Sequence, residues 1–165
     1  MISIPLHPVI VHTPIALLIV SALFELVGRA TDVAWWRKAA FAMLIVGVVG
    51  AAAAVRTGDE AGEAAEKQGV PEQAVDAHEE MAMVTLYVGA AAALARAVAG
   101  RMGAARGAVA TLGLLLHLAA AVAVGITGFR GGKLVYEHGA AVKVNGQPVT
   151  TAEQHPGHEA APTPD

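Results

Sequence analysis

AAFAMLIVGVVGAAAAV, residues 39–55, contains no charged side chain. A helix rises 1.5 Å per residue, so about 20 mainly apolar residues cross the roughly 30 Å hydrocarbon core of a bilayer. A soluble helix keeps a polar face, and this stretch has none. Working outward, three companions appear. Pro8 to Val27 is broken only by His12, Thr13, Pro14, Ser21 and Glu25. Met81 to Ala95 is Ala-rich and extends around Arg96 to Gly100, and Gly107 to Phe129 holds His117 as its one ionisable residue. The sequence therefore predicts an all-α, polytopic four-helix membrane bundle over residues 1–142. Its spans fall at about residues 8–27, 37–56, 79–100 and 107–129, followed by a short irregular, partly disordered tail at 143–165.

Composition agrees. Of 165 residues, 55% are hydrophobic and 15% charged, against about 25% charged in an ordinary soluble domain. Aromatics are 4% while glycine numbers 18, which suits close helix–helix contact. A net charge of −3 excludes a basic nucleic-acid binder. The lack of cysteine excludes disulfides, thiolate zinc sites, iron–sulfur clusters and covalently attached haem. No GxSxG, HExxH or phosphate-cradling glycine loop occurs, so nothing points to a hydrolase, and the reading leans away from an enzyme.

Four spans put both termini on one side. The loops on the other side carry Arg29, Arg37, Lys38, Arg96, Arg101 and Arg106. Counting positive charge over short loops places that side in the cytoplasm and both termini outside, periplasmic at a bacterial inner membrane. The first span lacks the positive flank of a signal peptide and reads as a retained helix. Trp35 and Trp36 suit an interfacial belt.

The two halves read alike: His12, helix, basic loop, helix, Thr57-Gly58, then His78, helix, basic loop, helix, Thr127-Gly128. A tandem repeat of two hairpins would set His12 and His78 at similar depth, facing one another near the outer surface. The Thr-Gly pairs read as helix stops, Gly131-Gly132 as the end of the fourth helix, and Gly47, Gly50, Gly89, Gly113 and Gly125 as close-packing positions. His7 and His138 join the outer end. Pro14 either kinks the first turns or opens the helix after a Thr13 cap. His78, followed by Glu79 and Glu80, opens the third helix. His117, alone at mid-depth, is explained by a hydrogen bond to Ser21 or a carbonyl. Glu25 is explained by an i,i+4 ion pair with Arg29. For both, a relay role is the sharper alternative. Asn145-Gly146 suggests a short hairpin, and His155 and His158 sit in the tail.

HPVIVHTPIALL at 7–18, His78-Glu79 and TGFRGGKLVYEHG at 127–139 resemble the DUF2231 family of bacterial membrane proteins. Thr13 stands where that family usually has Phe. The resemblance implies a small polytopic membrane protein with no transferable activity, and the cytochrome-c-like modules joined to some relatives imply a redox setting.

The resulting expectation is a histidine-lined outer site in which His12 and His78, with His7 and His138 behind them, ligate one noncovalent b-type haem for membrane electron transfer. Its partners would be the lipid bilayer and a periplasmic cytochrome or another membrane subunit. Two alternatives stand beside it. One is a copper or zinc site of three or four of these imidazoles, with Glu79 as a further ligand. The other is a non-catalytic scaffold or assembly subunit.

Overall fold

The computed structural model describes residues 6–102 and 106–149. Its helices are α1 (Leu6–Ile10), α2 (His12–Thr31), α3 (Ala34–Lys67), α4 (Glu72–Ala99) and α5 (Arg106–Tyr136), followed by strands β1 (Lys143–Val144) and β2 (Gln147–Pro148). Helices α1 and α2 form one rod interrupted at Val11. Pro14 has no amide to donate one turn back, and the helix breaks at Val11, although Val11 still bonds to His7 and Ile15 to Val11 through the backbone. That rod, α3, α4 and α5 are each long and apolar enough to cross a membrane.

The packing is that of two joined hairpins. Helix α2 lies on α3 and α4 on α5, while α3–α4 and α2–α5 contacts close the bundle. Its fully buried centre is small-sided: Leu18, Leu44, Ala40, Ala92 and Ala120. The large apolar side chains point outward, with Val49, Leu94, Val122 and Phe129 each more than 60% exposed. A soluble bundle would invert that distribution. Lipid tails are as apolar as leucine, so burial alone does not drive these helices together; close backbone approach and polar contacts do. A Cβ on Gly47 would lie 3.0 Å from Leu18 Cδ2, and one on Gly89 3.1 Å from Val48. Gly125 departs from the close-packing expectation, since a Cβ there would meet nothing within 4 Å.

Both Thr-Gly pairs, read as stops, lie inside helices. Thr57 donates to the Ala53 carbonyl and Thr127 to that of Ala123, so each hydroxyl is satisfied one turn back. Gly131-Gly132 likewise fail to end α5, which continues to Tyr136. The third span begins earlier than expected, at Glu72 after Pro71, so His78 stands in its second turn.

Helix α3 ends in a Schellman arrangement, with Val70 N bonded to Ala65 O, Gly69 N to Glu66 O, and Gly69 at φ +90°. The accompanying hydrophobic contact is present: Ala65, Val70, Val75 and Ala140 pack with Leu134 into a cap over the end where α1 begins and α5 ends. Strands β1 and β2 pair antiparallel around Asn145-Gly146, both at positive φ, as a two-residue hairpin requires. His155 and His158 lie outside the described residues.

Candidate functional site

At the terminal end, His7 and His78 meet with ring centres 6.3 Å apart and planes at 87°. His7 projects from α1 and His78 from α4, so each comes from the first rod of its own hairpin. Each is tied to the second helix of that hairpin. His7 Nδ1 lies 3.0 Å from the Ala54 carbonyl and 3.3 Å from Thr57 Oγ1, and His78 Nδ1 lies 3.1 Å from the Thr127 carbonyl. A carbonyl only accepts, so Nδ1 carries the proton on both rings and Nε2 keeps the lone pair when the ring is neutral. Glycine makes room for both rings: a Cβ on Gly58 would sit 3.3 Å from His7 Cε1, and one on Gly131 3.0 Å from His78 Cε1. Thr127 is itself held by Thr85, hydroxyl to hydroxyl at 2.9 Å.

The partner expected for His78 was His12. His12 instead stands exposed on α2, since five residues at 3.6 per turn set it about 140° around the rod from His7. His138 is half-buried beside a separate cavity of about 220 Å³ with Arg130, Lys133 and Glu137. Among the described residues, no three His, Asp or Glu side chains converge as a metal site.

Among the described residues, the buried polar side chains are Ser21, Glu25, Thr85 and His117. His117 Nε2 is 2.8 Å from Ser21 Oγ, which donates to the Leu18 carbonyl at 3.0 Å. The serine proton being committed there, Nε2 donates to Ser21 and the buried Nδ1 keeps an unpartnered lone pair. The tight core of Leu18, Leu44, Ala92 and Val124 separates this pair from the imidazoles at the terminal end.

At the opposite end Glu25 is 2% exposed and held from two sides. Arg29 Nε meets Oε1 at 2.8 Å, the i,i+4 contact, and Arg96 of α4 closes on Oε2 from across the bundle. Arg96 also donates to the Arg37 carbonyl at 3.0 Å and covers the Phe41 ring. The cross-bundle partner is absent from the sequence reading, yet a signal exists: 71 residues separate Glu25 from Arg96, the same offset that carries His7 onto His78.

A family model described as a predicted membrane protein (DUF2231) matches residues 3–144. No curated protein and no solved structure matches the chain.

Proposed function

The chain belongs to the DUF2231 family of predicted membrane proteins, and from that premise we propose that this multi-pass membrane protein holds a redox metal centre between His7 and His78. The observation that carries the reading is the paired tethering of the two rings. A ligand histidine typically donates its other nitrogen to a carbonyl, which fixes the tautomer and raises ligand basicity. Both rings are held so here. The ring centres lie 6.3 Å apart, close enough that both imidazoles could hold one metal ion.

His7 and His78 would hold the iron of a b-type haem, without covalent attachment because the chain has no cysteine. Bound there, the group would supply one-electron oxidation and reduction. The protein's own part is orientation: Ala54 and Thr127 anchor the rings, and Gly58 and Gly131 leave them space. The arginine-rich loops put their end in the cytoplasm by the positive-inside rule. The imidazole pair then faces outward, within reach of a periplasmic cytochrome or a neighbouring membrane subunit.

The test is haem uptake by detergent-purified protein, followed by absorption in the oxidised and dithionite-reduced states. Sharp reduced α and β bands are expected, lost in His7→Ala and in His78→Ala and kept in His12→Ala. Retention of the bands in His7→Ala would overturn the pairing. Failure of the unmodified protein to take up haem would favour a scaffold role.

A further inference from the structure

The end of the bundle opposite the imidazoles holds an open cleft of about 940 Å³, bounded by the ends of α2 and α4 and the starts of α3 and α5. Arg29, Arg37, Lys38, Arg96, Arg101 and Arg106 line it. These are six of the chain's 11 basic residues, so the positive charge is concentrated on one small volume. Glu25 forms its floor and is already engaged by Arg29 and Arg96, and Arg37 is engaged by Asp32 at 2.8 Å. Lys38 and Arg106 make no ion pair among the described residues.

Cations gathered in a partly apolar cleft beside a bilayer attract an anion, because low dielectric walls strengthen the field. Arginine forks match phosphate oxygens in particular. The walls also carry Phe41, Ala97 and Ala110, so the cleft suits a charged head on an apolar body. Trp35, 60% exposed, and the Phe24–Trp36 contact at 4.7 Å mark the interfacial depth at which headgroups sit.

We propose that this cleft binds a net-anionic phosphate group, presented by a membrane lipid or as the free ion. The site is independent of the imidazole pair and of any metal there. Glu25, Arg29 and Arg96 set its floor, while Lys38 and Arg106 supply uncompensated charge at the walls.

The test is native mass spectrometry of the delipidated protein titrated separately with phosphatidylglycerol, zwitterionic phosphatidylcholine and inorganic phosphate. One phosphatidylglycerol should be retained per chain in clear preference to phosphatidylcholine. Lys38→Ala/Arg106→Ala, which leaves the Glu25 network intact, should weaken it about thirtyfold. Retention of inorganic phosphate, weakened by the same double variant and with no lipid preference, would support the phosphate site and assign it to the free ion. Equal retention of both lipids without phosphate binding, or an unchanged affinity in a double variant of normal helix content, would overturn the proposal.

Discussion

Replacing Arg96 by methionine removes the cross-bundle partner of a carboxylate that is 2% exposed. Glu25 Oε1 keeps its contact with Arg29 at 2.8 Å, whereas Oε2 loses the donor found on it. Breaking a buried ion pair from one side costs about 3–5 kcal/mol. The surviving Arg29 contact argues for the lower figure, so we expect about 3 kcal/mol, roughly a hundredfold in the folding equilibrium. The double variant Glu25→Met/Arg96→Met leaves no stranded carboxylate, and Arg29, 36% exposed at its side chain, can extend to the interface. With Glu25→Met completing the cycle, the loss in the double variant should fall about 2–3 kcal/mol short of the sum of the two single losses. Helix content followed by circular dichroism through a detergent-denaturant titration provides the assay. A coupling under about 0.5 kcal/mol would refute the view that these residues act as one buried unit.

Gly47→Val forces side-chain atoms against Leu18 and should destabilise by about 1–3 kcal/mol, while Gly125→Ala, which meets open space, should be neutral or stabilising by about 0.5–1 kcal/mol. The same titration compares them. Ser21→Ala strands the His117 Nε2 donor at 0% exposure and should cost about 1–3 kcal/mol, part of which Ser21→Ala/His117→Leu recovers. Single cysteines at Glu60 and Arg101, introduced into a chain with none of its own, should label from opposite sides of intact cells or vesicles. Labelling from one side would contradict the four-span arrangement.

The spans were legible because apolar length in a bilayer is close to a one-variable problem. The Ser21–His117 and Glu25–Arg29 contacts were legible as well, since each polar group in an apolar helix needs a partner and few were within reach. The Thr-Gly positions misled. Neither Gly58 nor Gly128 takes the positive φ of a helix stop; Gly58 instead leaves room for the His7 ring, and each threonine hydroxyl satisfies itself at the preceding turn. The choice of His12 rested on helix starts, whereas hydrogen bonding decided the geometry. His7 to Thr57 spans 50 residues and His78 to Thr127 spans 49, a closer match than the one beginning at His12. Arg96 escaped because its partner is distant in sequence, and an arginine within an apolar run reads as a loop flank until it is paired.

Shared ligation by His7 and His78 is directly measurable. Low-temperature electron paramagnetic resonance of the oxidised, haem-loaded protein should show the low-spin ferric signal that ligation by His7 and His78 together would give, and it should vanish in His7→Ala. A high-spin signal in the unmodified protein, or a low-spin signal unaffected by loss of His7, would contradict ligation by this pair.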